Sequence, residues 1–156
     1  MSTNAISLSV VVPCFNEAAT LQACIEKVLE LRDHGVVLEV IIVDDASSDS
    51  SPEIARGLAQ VASKIKVVRH KSNQGKGAAL RTGFKEATGD FVVVQDADLE
   101  YDPHDILNDL APENLVAGFH IGQIEVCEHV GKKRQKLIPQ VMPKVQDPMR
   151  LPPQEP

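Results

Sequence analysis

Basic residues are in the minority: 16 Lys+Arg stand against 22 Asp+Glu, a formal net charge of −6. Binding of duplex nucleic acid rests on Lys and Arg facing phosphates, so no nucleic-acid partner is expected. Cysteine is scarce as well. Cys14, Cys24 and Cys127 make no even-numbered framework, which points to a reducing compartment rather than a disulfide scaffold. No apolar run approaches the roughly 18 residues that a membrane-spanning helix needs. Met1–Ser9 also lacks the charged n-region of a leader peptide. The expectation is no transmembrane segment and a cytoplasmic location, with the cytosolic face of a membrane and peripheral contact with it included.

What is present suits one packed domain. A chain of 156 residues can bury roughly two-thirds of its unfolded surface, and a 43% apolar fraction argues against wholesale disorder. The charge is unevenly spread. Residues 1–110 hold 17 acids and 10 bases, a net of −7, whereas 111–156 hold 5 acids and 6 bases, a net of +1. Six of the ten prolines fall between 139 and 156. The expected division is a packed domain over 1–110 and an atypical segment over 111–156, extended or disordered from about 139.

The first part alternates strands and helices. Ile6–Val12, Leu38–Val43, Ile65–Arg69 and Phe91–Gln95 are short, β-branched apolar runs that suit strands buried on both faces. Between them, Glu17–Arg32 has apolar residues at helical spacing and closes at Gly35. Ser51-Pro52-Glu53 starts a second helix, with Ser51 as N-cap and Ile54, Leu58 and Val61 on one face. Gly77–Ala87 is a third helix, and Asp102-Pro103 opens a short fourth before Pro112. Strands separated by helices of this length imply right-handed βαβ crossovers and a mainly parallel sheet with helices on both faces, an α/β doubly wound half. Within 111–156, Leu115–Val130 could carry a strand or two, and Lys132–Lys136 is a short basic run without an apolar face.

In an open parallel sheet, ligands bind outside the carboxyl ends of the strands. Four polar clusters fall there: Pro13-Cys14-Phe15-Asn16-Glu17, Asp44-Asp45-Ala46-Ser47-Ser48-Asp49, Asn73-Gln74-Gly75-Lys76-Gly77 and Asp96-Ala97-Asp98-Leu99-Glu100. Any one could be an ordinary turn, since Asp, Asn, Ser and Gly are favoured there. Four on one edge ask for a ligand. The carboxylates among them would repel one another unless something cationic lay between. Mg²⁺ or Mn²⁺ prefers oxygen ligands and is commonly shared with substrate phosphates, and Asp-x-Asp at a strand end brings two carboxylates within reach of one ion. Taken alone, Asp96-Ala97-Asp98 is a weak signal. The Asn73–Gly77 loop fits neither the dinucleotide-binding nor the P-loop glycine spacing, yet its glycines permit close backbone approach, with Lys76 or Arg81 near phosphates. Cys127-Glu128-His129 lacks the second pair that zinc requires, Cys14 reads as a small apolar filler, and His104 as a solvated residue.

The motifs Val10–Glu17, Ile41–Asp49, Asn73–Phe84 and Gly89–Leu99, in this order and spacing, resemble the family 2 inverting glycosyltransferases. Within them the likeness is to the dolichol-phosphate mannose synthase and polyprenyl-phosphate glycosyltransferase branch, and it covers about residues 5–110. The resemblance implies a Rossmann-like GT-A fold whose N-terminal half binds a GDP- or UDP-linked sugar. It implies that Pro13, Phe15 and Glu17 line the nucleotide pocket, that Val43 and Asp45 hold base and ribose, and that Asp96 and Ala97 lie along the nucleotide. It also implies catalytic roles for Asp96 and Asp98, and a metal held by Asp98 and Glu100. Phe15 stands where the family commonly has Tyr, and Glu100 where it commonly has Gln. After Tyr101–Ile106 the family continues with a Gly-Ser-Arg-like strand and acceptor-binding segments that 111–156 do not display.

Inversion needs an acceptor oxygen attacking opposite the diphosphate. A sugar hydroxyl needs a general base, whereas a polyprenyl phosphate, with a second pKa around 6, is largely ionised already. The expected activity is metal-dependent transfer of a sugar to an acceptor, a lipid phosphate or a glycan. The alternative is a truncated, catalytically incomplete nucleotide-sugar-binding or regulatory chain. A phospho-acceptor receiver module would place its acidic pair after the first strand, and a nucleotidyltransferase its glycines there. Neither pattern is present.

Overall fold

The computed structural model describes residues 5–110 and 136–138. Strand β1 (Ile6–Cys14) leads to helix α1 (Leu21–Glu30) and a 3₁₀ turn over Leu31–His34. Then come β2 (Val36–Asp44), α2 (Ser51–Val61), β3 (Ile65–Arg69), α3 (Lys76–Glu86), β4 (Phe91–Val94), α4 (Asp105–Asp109) and β5 (Lys136–Ile138). The sheet order is β3-β2-β1-β4-β5, with every pairing parallel. The chain winds outward from β1 to β3 and then returns to the other side of β1, so the topological reversal lies between β1 and β4.

Alternation along the central strands explains the layers. Leu8, Val10 and Val12 of β1, with Leu38, Val40 and Ile42 of β2, share a core with Leu21, Cys24, Ile25 and Val28 of α1, Ala55 of α2 and Ile106 of α4. Val11, Ile41 and Val43 belong to a smaller cluster with Ala79, Val92, Leu80 and Phe84. A period of two thus sends adjacent residues to opposite helical layers, as expected for strands buried on both faces. The approach of α3 to β1 is close enough that a Cβ on Gly83 would collide with the Val11 side chain.

Several boundaries differ from expectation. Helix α1 begins at Leu21 because Glu17–Thr20 forms a turn, with the Thr20 and Leu21 N–H groups donating to the Glu17 carbonyl at 3.1 and 2.9 Å. The N-cap of α2 is Ser50, and Ser51 is the first helical residue. The Ser51 hydroxyl instead accepts the Glu17 N–H at 2.9 Å, tying α2 to the loop after β1. Val61, expected on the apolar face of α2, is 84% exposed; Ala55 is that helix's fully buried apolar residue. The short β5 pairs with β4 where only a basic run was noted. The strands expected within Leu115–Val130, the Cys127–His129 triplet and the Pro-rich end lie outside the described residues.

Candidate active site

The loops after β1, β2, β3 and β4 converge on one cleft of about 310 Å³ at the sheet's carboxyl edge, at the β1/β4 reversal. Its walls are Pro13 and Cys14 at the end of β1, with Phe15 and Glu17 after it; Asp45 after β2; Asn73, Gly75, Lys76 and Ala79 after β3; and Asp96, Ala97 and Asp98 after β4. Of the ten residues given a site role from the sequence (Pro13, Phe15, Glu17, Val43, Asp45, Lys76, Asp96, Ala97, Asp98 and Glu100), eight line the cleft and Val43 and Glu100 do not; Arg81, offered as an alternative to Lys76, does not line it either. Val43 is fully buried and its side chain belongs to the α3-side core, because its position in the pleat points away from the strand end. Glu100 is exposed outside the cleft wall, with its N–H donating to Asp98 Oδ1 at 3.1 Å. Arg81 is exposed and is not among the lining residues.

Cross-links between loops fix the walls. Asn16, at φ 54°, donates its N–H to Ser47 Oγ at 2.9 Å, and its side-chain oxygen accepts the Ser48 N–H at 2.9 Å. The Ala18 N–H donates to Asp49 Oδ2 at 3.1 Å. Ala46 and Leu99, both at φ 62°, are also left-handed, so loops after β1, β2 and β4 each contain a non-glycine residue in a sparsely populated conformation. Backbone strain of this kind collects where the surrounding structure fixes a site. Gln95 donates to the carbonyls of Asp96 and Tyr101 at 3.2 and 3.1 Å, holding the turn that carries Asp98.

The carboxylates are treated differently from one another. Asp44 is buried, accepts the Ser47 N–H at 3.2 Å and forms an ion pair with Arg69 at 2.9 Å, although no hydrogen bond is completed at its Oδ2. Asp45 is 3% exposed. Its Oδ1 accepts the Gln74 N–H at 2.9 Å and faces His70 Nδ1 at 2.7 Å, and its Oδ2 accepts the Gly75 N–H at 2.7 Å. Burial pushes its carboxyl up, but the Gln74 N–H, the His70 ring and the Gly75 N–H outweigh burial and hold it below the usual carboxylate range. Asp96 is half-buried with Lys76 Nζ at 2.6 Å from its Oδ1, and Asp98 is exposed. Burial pushes the Cys14 thiol up, which keeps it neutral and suits a filler. Burial, with the charges of Asp98 and Asp96 behind it, pushes Cys24 up to about 12; its thiol lies 3.5 Å from the Asp96 carbonyl.

Sequence reasoning passed over His70 and Thr82, whose hydroxyl sits 2.8 Å from His70 Nε2. His104, read from the sequence as a solvated residue, has a side chain 38% exposed, and its two ring nitrogens face Asp102 at 2.9 Å and Glu30 at 3.1 Å. A larger depression of about 440 Å³ lies at the opposite edge, near Ser7, Glu39, Lys64, Lys66 and Thr88. There Glu39 Oε2 accepts from Ser9 Oγ at 2.6 Å and the Thr88 N–H at 2.9 Å, so its carboxylate serves to hold the sheet to the turn before β4.

Together these features define an open parallel α/β protein with an acidic cleft at its switch point. The chain belongs to the Glycosyl transferase family 2, whose sequence profile matches residues 9–141. It is 42% identical over 101 residues to an undecaprenyl-phosphate 4-deoxy-4-formamido-L-arabinose transferase of Aeromonas hydrophila, covering 64% of this chain and 31% of that protein. It is 36% identical over 100 residues to a dolichol-phosphate mannosyltransferase of Pyrococcus furiosus, covering 63% and 27%. Among solved structures it resembles a mannosyltransferase from Pyrobaculum calidifontis in complex with GDP-Man and Mn²⁺, with a TM-score of 0.55 and 35% identity over 62% of this chain and 28% of that one. The chain therefore spans about a third of the length of the curated relatives it matches. The Rossmann-like GT-A architecture implied by the motifs is the one observed. No helix among the described residues is long and apolar enough to cross a membrane.

Proposed function

We propose that this chain is the donor-binding part of a metal-dependent inverting glycosyltransferase, taking a sugar from a GDP- or UDP-linked donor to an acceptor of the polyprenyl- or dolichyl-phosphate class. The observation that carries this reading is the convergence of Phe15, Asp45, Lys76, Asp96 and Asp98 on one cleft at the switch point. Phe15, 48% exposed at the rim, offers an apolar face to a nucleobase. Gly75 lets backbone approach a ligand, and Lys76 brings an ammonium to where a diphosphate would lie.

The donor set fits Mg²⁺ or Mn²⁺ of a particular kind. Two hard oxygen ligands, Asp96 and Asp98, line the cleft, and no group of three or more His, Cys, Asp or Glu side chains among the described residues could hold an ion by itself. Such a pair suits an ion whose remaining ligands are substrate phosphates and water. When bound, the ion supplies charge that offsets the departing diphosphate. In the transfer, an acceptor oxygen forms a bond to the anomeric carbon as the bond to the diphosphate breaks, and the nucleoside diphosphate leaves. An ionised lipid phosphate needs no strong base for that attack.

We assign the donor half to residues 1–110, with β5 (Lys136–Ile138) added to its sheet from beyond that boundary, and place the protein at the cytosolic face of a membrane, where a lipid-phosphate acceptor would be reached. Calorimetry with GDP-mannose and UDP-glucose, with and without Mn²⁺, tests the donor site. Binding of one donor, strengthened by metal, is expected; binding of neither sinks the reading. A second reading is a nucleotide-sugar-binding chain without turnover. It is favoured by a cleft whose described walls consist of donor-side loops, and it predicts donor binding with no sugar released or transferred.

A further inference from the structure

We propose that His70 is a positioning residue that sets the loop wall of the cleft, acting through Asp45 on the start of α3. The ring is nine-tenths buried and bridges three elements. It follows β3, meets Asp45 at the end of β2 through Nδ1 at 2.7 Å, and meets Thr82 in α3 through Nε2 at 2.8 Å. An ionised carboxylate only accepts, so Nδ1 carries a proton toward Asp45, while Nε2 and the Thr82 hydroxyl hydrogen-bond to each other. Both ring nitrogens are thereby used.

The consequence falls on Gln74 and Gly75. Their N–H groups are held by the carboxylate that His70 orients, at 2.9 and 2.7 Å, immediately before Lys76 enters helix α3. Gly75, at φ +90°, has no conformational preference strong enough to hold that turn by itself. With the ring absent, Asp45 keeps its charge and its burial but loses the contact that selects its rotamer, and the turn carrying Lys76 loses its anchor. The donor role of the cleft enters only at the last step, which rests on the reading proposed above.

Hydrogen exchange of the full chain, read residue by residue, tests this. His70→Ala is expected to speed exchange of the Gln74 and Gly75 amides by about tenfold or more, the scale of one hydrogen bond to a charged group. Val10 and Val11 in β1 should change far less. His70→Asn, whose amide nitrogen replaces Nδ1, should restore protection, and His70→Gln, which replaces Nε2 instead, should not. Thr82→Val should give a smaller acceleration at the same two amides, and it serves if His70→Ala does not fold. Unchanged Gln74 and Gly75 exchange, or acceleration equal to that of β1, overturns the proposal. In a second arm, GDP and UDP binding with Mn²⁺ should weaken in His70→Ala and recover in His70→Asn. If the unsubstituted protein binds neither nucleotide, the donor-site reading fails, while the exchange result still decides the role of His70.

Discussion

Lys76 Nζ lies 2.6 Å from Asp96 Oδ1, so the ammonium that opens α3 neutralises the first carboxylate after β4 across the cleft. Two roles proposed for this site compete at that contact. A divalent cation shared by Asp96 and Asp98 would meet a resident positive charge, whereas a diphosphate would gain one. Lys76→Met should therefore raise Mn²⁺ affinity of the donor-free protein, by about two- to fivefold on the scale of an exposed ion pair. The same change should weaken nucleoside diphosphate binding. Titration calorimetry of each ligand separately would show the opposite signs. A loss of both affinities, or no change in either, would refute this competition.

The packing of α3 on β1 makes a sharper stability prediction. A methyl group on Gly83 collides with Val11 in the fully buried α3-side core, so Gly83→Ala should cost about 1–3 kcal/mol, the usual scale of overpacking. Gly57 is the control. It lies on an exposed stretch of α2, where an added methyl group would meet nothing within 4 Å, and Gly57→Ala should stabilise by up to about 1 kcal/mol through helix propensity. Thermal melts followed by circular dichroism should move in opposite directions. Gly83→Ala melting at or above the parent temperature would mean that the close approach is not as described.

The contrast between Asp45 and His70 explains what the sequence disclosed. Pro13, Phe15, Asp45, Lys76 and Asp96–Asp98 were legible because each follows an apolar β-branched run, and a parallel sheet brings all such ends to one edge. His70 stands at the same edge, yet nothing local marks it. Its partners are 25 and 12 residues away, and a lone histidine after a strand carries no spacing signal. Val43, which the resemblance puts beside base and ribose, has its side chain turned into the core by alternation along β2, one residue before the chain leaves the sheet. Ser51 reads as an N-cap because Pro follows it, but its hydroxyl was recruited by Glu17 from 34 residues away. A strand as short as β5 leaves too few residues for any period to register.

Acid should act through Asp45. Its carboxyl is held below the usual range when folded, so it favours the folded state above the ordinary carboxylate pKa of about 4. That contribution fades as pH falls through the lowered folded value. Asp45→Asn should cost about 1.5–3 kcal/mol at pH 7, the range for hydrogen bonds to a charged group, and less at pH 3. Urea denaturation at the two pH values measures both differences. An Asp45→Asn penalty that is the same at pH 7 and pH 3 would show that ionisation of this group does not contribute.

At the alkaline end the same reasoning applies to Cys24 with the sign reversed. Burial first, then the charges of Asp98 and Asp96, push its thiol up to about 12 from an ordinary value of 9.0. The folded state is thus favoured below about pH 9, and the advantage is lost as pH rises from there toward 12. The thiolate is the nucleophile, so folded Cys24 should resist iodoacetamide at pH 8 while the unfolded chain reacts readily. Cys14, also buried with a raised thiol, should behave alike. Peptide mapping by mass spectrometry separates both from Cys127. Rapid labelling of Cys24 without added denaturant would place it outside the core beneath Asp96. If ligand binding tightens the turn of Asp96–Asp98, adding GDP or UDP with Mn²⁺ should slow residual labelling of Cys24 further, since its sulfur lies against the Asp96 carbonyl.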